Sequence, residues 1–441
     1  MVRLAGTFSQ LAPFKALVVG DLMLDIYTTG SIDRISPEAP VPVLHIKKRH
    51  QKAGGAGNVA LGLVSLGGNV SIMGRVGHDA SGLAVRKALK DAGVDTSYLF
   101  DEKGVITPLK NRIIAENQQL LRIDEETKFP PSQQIEDQML QALEKEIASF
   151  SIVTVSDYNK GTLTPRLLQG IIAMSNACGI PVVCDPKGVD FSLYQRAFIV
   201  KPNTKEAYFA AGLPSEASLD EVADALFQKT QSPHLLITKS GDGMSLFTRN
   251  GPRKDFPVQV REVVDVTGAG DTVLATLSAA IASSLPLDDA VHLANISASI
   301  AIEKMGCALV TLSDVARRLL ETDVDSKVFH ETHLYALQKA REKCVISILE
   351  VDTNEGITPK LLQTIRTIAK SPSEELVLYI QDDVPDEDFI HVLSSLNEVD
   401  FIILRKESLQ HLCQSIRPKK VYFTKKNETA PSWLSALSTG S

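Results

Sequence analysis

The stretch Asp265-Val266-Thr267-Gly268-Ala269-Gly270-Asp271-Thr272 decides how this chain is read. It closes a polar segment and opens a run, residues 272–282, with apolar side chains at helical spacing and neither Gly nor Pro. Gly268 and Gly270 carry no Cβ, so the backbone can turn tightly there and leave its amides open to a ligand. The amides of 268–271 then sit at a helix N-terminus, where unpaired N–H groups and the helix dipole favour an anion. Asp271 places a carboxylate beside that anion hole. Amides that hold a transferring phosphoryl group, next to a base for the attacking hydroxyl, are the minimum equipment of a small-molecule kinase. A plain loop with Asp in the first helical turn has the same local pattern. The rest of the chain has to decide between them.

At 441 residues the chain exceeds one compact core, and two domains are expected. Its 44% hydrophobic and 22% charged content is that of a globular protein. A formal charge of −7 argues against nucleic acid or an anionic membrane as the main partner, so an anionic substrate needs a local basic pocket. Residues 1–14 lack an apolar core of signal-peptide length, and no apolar run approaches the length of a membrane span. The five cysteines (178, 184, 307, 344 and 413) are widely spaced without a CxxC pair. Disulfides and a zinc site are not expected, and a reducing cytoplasmic location is.

Apolar runs at 16–20, 70–74, 152–156, 181–184, 198–200 and 235–238 read as strands. Amphipathic segments at 84–92, 135–148, 165–177 and 219–229 lie between several of them. This alternation predicts an α/β fold, a doubly wound parallel sheet covered by helices on both faces. Residues 41–46 and 110–124 break the rhythm as partly polar extended segments, which suit a small β lid over a site at the strand ends. A second alternating block runs from 345 to 424 and predicts a smaller Rossmann-like α/β domain. The expected division is 1–320 for the first domain, 321–340 for a linker and 341–441 for the second.

Further motifs follow strand ends. Gly20-Asp21-Leu22-Met23-Leu24-Asp25 leaves the first strand, and Gly54-Gly55-Ala56-Gly57-Asn58 opens a helix. Asp25 and Asn58 offer the acceptor and donor that sugar hydroxyls need, and the Gly pair allows close approach. Gly74-Arg75-Val76-Gly77 is a third glycine-punctuated junction. Pro202-Asn203-Thr204-Lys205-Glu206 starts another helix, where Asn203 and Glu206 can face ATP and magnesium or simply form a capping box.

In this order the motifs resemble the ribokinase-like (PfkB) sugar kinase family over roughly residues 10–320. A narrower likeness, to the heptose 7-phosphate kinases of that family, rests on four segments. They are Arg34 to Val43, Asn117 to Asp124, Ser156-Asp157-Tyr158 with Lys160-Gly161, and Asp185-Pro186-Lys187-Gly188. The resemblance implies Asp271 as the base for the anomeric hydroxyl and Gly268, Ala269 and Gly270 as the anion hole. It implies Asn203, Thr204, Lys205 and Glu206 along ATP, with Glu206 facing Mg2+, some of it through water. Lys239, Ser240 and Gly241 would hold the nucleotide, and Asn295 would flank the adenine. Asp25, Gly54, Gly55 and Asn58 would grip the sugar. A monovalent cation such as K+ would lie near Asp265 and Thr267. The substrate's own phosphate needs cations, for which Lys110, Arg112, Arg122 and Lys187 are the candidates. Relatives carry Arg where this chain has Glu116, and a carboxylate facing the pocket would repel a phosphorylated sugar.

The resemblance also implies an ATP-dependent step in ADP-heptose supply for lipopolysaccharide. Two alternatives are a kinase for another sugar and a catalytically silent regulatory or assembly protein. The second domain resembles a nucleotidyltransferase in element order, but Asp352 to Thr358 holds no histidine where an H-x-G-H motif is expected. Thr424-Lys425-Lys426-Asn427 stands where K-G-G-D would be. The expectation is an inactive domain. His330-Glu331-Thr332-His333 precedes the first strand of that domain and reads as linker or helix surface. The only tryptophan, Trp433, is a candidate anchor for the tail. Truncation near Ser326 is expected to spare kinase activity. The extended lid segments favour a homodimer, because exposed strand edges seek partners.

Overall fold

The computed structural model describes residues 6–424 apart from 117, 259–262, 305, 323–326, 332–333, 342–343, 354–355, 370–373, 383 and 406–407. Asn117, Ser326, His333, the 425–427 segment and Trp433 therefore lie outside the described residues.

Apolar runs such as Ala16-Leu17-Val18-Val19 are fully buried because their strands are covered on both faces, the environment of a parallel sheet. The chain forms two units, Phe14–Val310, and Thr311–Ser441 together with Met1–Pro13.

The larger unit opens with β1 (Lys15–Gly20), β2 (Leu22–Ile35), β3 (Pro42–Gly55), α1 (Ala56–Ser65), β4 (Asn69–Gly77) and α2 (Ala80–Asp91). Next come β5 (Leu99–Glu102), β6 (Leu109–Ala115), β7 (Gln118–Glu125), α3 (Gln133–Glu146), β8 (Ile152–Ser156), α4 (Pro165–Ala177) and β9 (Val182–Asp185). The rest is β10 (Ile199–Val200), α5 (Thr204–Ala211), α6 (Leu219–Thr230), β11 (His234–Thr238), β12 (Met244–Thr248), β13 (Lys254–Phe256), α7 (Ala269–Ala282) and α8 (Leu287–Ile302).

Nine of these strands form one sheet in the order β13-β12-β11-β10-β9-β8-β1-β4-β5. It is parallel from β5 to β11, and β12 and β13 add antiparallel at one edge. Leu167, Ile171, Val222 and Leu226 of the helices pack onto its buried strands. The expected small lid is a four-stranded sheet, β3-β2-β6-β7. One residue, Asp21, separates β1 of the main sheet from β2 of the lid, so the lid springs from the carboxyl end of a central strand. That end is where ligands bind in open α/β sheets.

The second unit contains α9 (Leu312–Thr322), β14 (Val328–His330), α10 (Tyr335–Ala340), β15 (Val345–Val351), α11 (Pro359–Ile368) and β16 (Glu374–Ile380). It closes with α12 (Glu387–Ser394), β17 (Phe401–Leu404), α13 (Leu409–Ile416) and β18 (Lys420–Phe423). Its five strands are parallel in the order β14-β17-β16-β15-β18. The stretch 321–340, expected as a linker, carries β14 and α10. Val328 and Phe329 are buried there, but three strand residues beside an acidic segment give no periodic signal. Residues 6–10 join this unit too: the Gly6 amide donates to the Val328 carbonyl at 3.3 Å, and Phe8 meets Phe329 edge to face.

Candidate active site

Helix α7 starts where the glycines place it. Gly268 is its N-cap at φ 80°, ψ 1°, a left-handed conformation that favours glycine. A Cβ there would also lie 3.2 Å from Cys307 Sγ and 3.3 Å from Asn58 Nδ2. The amides of Gly268, Gly270 and Asp271 make no hydrogen bond to a described residue. Ala269 differs from expectation: its amide turns back to the Val266 carbonyl at 3.3 Å, because that bond closes the turn into the helix. The amides left open to a ligand are therefore those of Gly268, Gly270 and Asp271.

The Asp271 side chain is 6% exposed and points into the site. One oxygen accepts from Asn58 Nδ2 and the other from the Tyr158 hydroxyl, each at 2.7 Å. Burial pushes its carboxyl above the usual carboxylate range, while these two hydrogen bonds and the Lys201 charge pull it back. Asn58, expected on the sugar, thus spends its amide nitrogen on the Asp271 carboxylate.

Lys201 was missed from the sequence. It follows the two-residue strand β10, is 3% exposed, and pairs with Asp185 at 3.0 Å. A Cβ on Gly270 would lie 3.9 Å from its ammonium, so this buried cation stands beside the open amides of the helix N-terminus. Together these groups line a cavity of about 190 Å³ that also meets Asp157, Asn203 and Glu206. Burial pushes Asp185 up to about 6, with Lys201 opposing and Asp271 and Glu206 adding to the rise. Asp157 also rises to about 6 through burial, held down by the Tyr194 hydroxyl at 2.6 Å.

On the other side of Asp271 lies the lid. Asp25 on β2 is buried and pairs with Arg112 of β6 at 2.5 Å, and Arg112 stacks on Tyr27. Gly54 on β3 pairs with Met23, and a Cβ there would sit 2.1 Å from Asp25 Oδ2, so only glycine leaves that carboxylate its place. Gly55 adopts φ 60° at the entry to α1. Lys110, facing Asp25 across the β2–β6 pair, holds its ammonium 5.9 Å from the Tyr158 ring. Burial and the nearby Lys160 charge lower its pKa.

The four candidate phosphate cations are not brought together. Lys110 and Arg112 share the sugar side. Lys187 instead pairs with Glu206 at 2.5 Å in the 190 Å³ cavity, since it follows β9 of the main sheet and cannot reach the lid. Arg122 pairs with Asp124 of its own strand.

On the nucleotide side, Asn203 and Glu206 form a complete capping box on α5, and both also line the cavity. Thr204 donates to the Thr238 carbonyl, and Lys205 is exposed. Lys239 pairs with Asp255 at 3.0 Å, while Ser240 and Gly241 sit exposed on the turn after β11. Asn295 is buried and spends its amide nitrogen on the carbonyls of Phe256 and Pro257, tying α8 to the end of β13. Asp265 accepts from Thr267 through one oxygen and from the Gly306 amide through the other. Burial raises its carboxyl, but these bonds outweigh it and leave a lowered pKa. Glu116 stands exposed on the β6–β7 turn at φ 49°. Four residues of strand, about 13 Å, separate it from Arg112.

The nine-stranded sheet with a β lid at its carboxyl edge is the ribokinase-like fold of carbohydrate kinases. Residues 14–314 match the pfkB family of carbohydrate kinases, and the chain belongs to that family. Among curated relatives, the bifunctional protein HldE of Trichlorobacter lovleyi is 39% identical over 93% of this chain and 88% of its own length. HldE of Helicobacter pylori is 37% identical over 92% of this chain and 89% of its own. Among solved structures, Arabidopsis thaliana ribokinase complexed with ribose and ATP shares the fold with a TM-score of 0.56 at 20% identity. That match covers 70% of this chain and 99% of the plant chain. Among the described residues no helix is long and apolar enough to cross a membrane.

Proposed function

We propose that this chain transfers the γ-phosphoryl group of ATP to the anomeric C1 hydroxyl of D-glycero-β-D-manno-heptose 7-phosphate. The product is the 1,7-bisphosphate, a step in ADP-heptose supply for lipopolysaccharide core synthesis. The observation that carries the reading is Asp271, a buried carboxylate between the cavity and the lid, beside unpaired amides of its own helix. HldE relatives matching across both units narrow the substrate to a heptose phosphate.

Asp271 takes the proton of the sugar hydroxyl, which is more acidic at the anomeric carbon than in an ordinary alcohol. The amides of Gly268 and Gly270, with Lys201, hold the negative oxygens of the group in flight. Asp25 and Gly54 orient the sugar, and Lys110 receives its distal phosphate, because Arg112 is already matched by Asp25. Glu116, exposed on the β6–β7 turn six positions from Lys110, is read as too distant to repel that phosphate within one chain. Glu206, which now accepts from Lys187 and the Asn203 amide, and Asp185, paired with Lys201, are the carboxylates that would hold a magnesium ion beside the substrate's phosphates, exchanging those partners for it. When bound, it neutralises charge on the triphosphate. Asp265 accepts from Thr267 and the Gly306 amide in holding its loop, and no step draws on a monovalent cation there.

A coupled assay of ATP consumption over sugars and sugar phosphates tests the reading. Turnover is expected with heptose 7-phosphate, and no nucleotide sugar should form when heptose 1-phosphate and ATP are supplied. The second expectation follows from the missing histidines after β15 and leaves that unit a packing or regulatory role. Turnover of a different sugar alone would reject the substrate, and formation of ADP-heptose would restore the second activity.

The lid favours a homodimer. Strand β7 is exposed along its whole length, with Leu121 57% and Ile123 49% accessible, and Ile46 on β3 is 51% accessible. Covering such a sheet with a second copy removes apolar area from water. Light scattering should give twice 47.8 kDa, and the mass of one chain would refute the dimer.

A further inference from the structure

We infer that Tyr158 is a positioning residue for Asp271, fixing one carboxylate oxygen while Asn58 fixes the other so that a lone pair stays aimed at the sugar. The inference rests on the kinase reading of the site.

The loop that carries Tyr158 is built for placement. Asp21, buried at the junction of β1 and β2, accepts from the amides of Tyr158, Lys160 and Thr162 at 2.9–3.0 Å. Asp157, one residue earlier, accepts from the Tyr194 hydroxyl and the Asn159 amide. The backbone on both sides of Tyr158 is therefore pinned, and its ring has little choice of direction. From there the hydroxyl reaches Asp271 at 2.7 Å. The same ring lies under the Lys110 ammonium, so one side chain spans from the base to the cation assigned to the distal phosphate.

The chemistry of the pair is one-sided. Burial first, then the Asp271 charge, raises the Tyr158 phenol well above its ordinary value, so it stays a proton donor wherever Asp271 is ionised. The Asp271 carboxyl is raised by burial and held down in part by this donor. Losing a hydrogen bond to the charged form raises a carboxylate titration by about one to two pH units.

The test follows Asp271 directly in the full-length protein. Aspartate carboxyls are labelled with ¹³C and titrated by NMR, with Asp271→Asn assigning the resonance. Tyr158→Phe should move that titration upward by about one unit or more and move the acidic limb of the kcat profile with it. A 3-fluorotyrosine at position 158, a stronger donor, should move it downward. An Asp271 titration unchanged in either protein overturns the inference. The NMR readout does not require a substrate. If wild-type protein failed to turn over heptose 7-phosphate, that would reject the kinase reading while the titration still judged Tyr158.

Discussion

Replacing Asp271 by Asn should lower kcat by about 10²–10⁴-fold, the contribution of a well-placed general base. The substitution preserves shape and removes the charge. It also disturbs the two hydrogen bonds that the carboxylate accepts at 2.7 Å from Asn58 and Tyr158. A side-chain amide has only one acceptor, so one of those donors is left facing an NH2 group. Substrate affinity should change much less, because Asp25, Gly54 and Lys110, the groups proposed to hold the sugar, lie on the lid and are left unaltered. Steady-state kinetics with sugar and ATP varied separately would check this. Equal ATP consumption by the variant and the wild type would remove Asp271 from the mechanism, and no consumption by either would favour a silent protein.

Lys201→Met should lower both stability and turnover. The ammonium is 3% exposed and pairs with Asp185 at 3.0 Å, and breaking a buried pair costs about 3–5 kcal/mol. The low end applies, since the Asp185 side chain keeps 20% of its surface open to the cavity. The sign of the pH dependence follows from Asp185, an acid whose folded-state pKa, about 6, lies above its ordinary 3.8. Such a group favours the fold below its unfolded pKa, and that contribution is lost as pH rises through the folded value. Without Lys201 the folded value climbs further. The deficit in Tm should therefore be largest near pH 8 and shrink towards pH 5, as Asp185 takes up a proton. Thermal unfolding across that range checks it, and a deficit independent of pH would show that Lys201 acts by packing alone. Turnover should fall about 100-fold, comparable to losing one oxyanion donor.

The long apolar strands and the glycine turn before α7 were legible because one physical signal dominated each. Val18, Val153 and Leu236 had to be buried, and 268–271 had to turn. Strand β3 was legible only at 41–46. Its later part, Lys47 to Lys52, is charged because both faces of the lid meet solvent there, and such a run looks like a loop. Lys201 was hidden for the opposite reason. A lysine between a two-residue strand and a proline looks like surface, and only the fold reveals that it is buried against Asp185. Tyr158 and Asp185 lay in quoted motifs without a role, since no spacing rule joins residues 113 positions apart. Asn295 shows a second role that no spacing reveals. Its place on a flanking helix was sound, but its amide serves the end of β13.

The docking of Phe8 against Phe329 has a bearing on synthesis. The first described residues to leave a ribosome belong with a sheet whose strands are all translated after residue 327. At typical elongation speeds they wait on the order of tens of seconds for those strands. The intervening 14–310 segment can meanwhile complete its own core. A gene cut to begin at the kinase fold would take its missing piece from the other half of the protein.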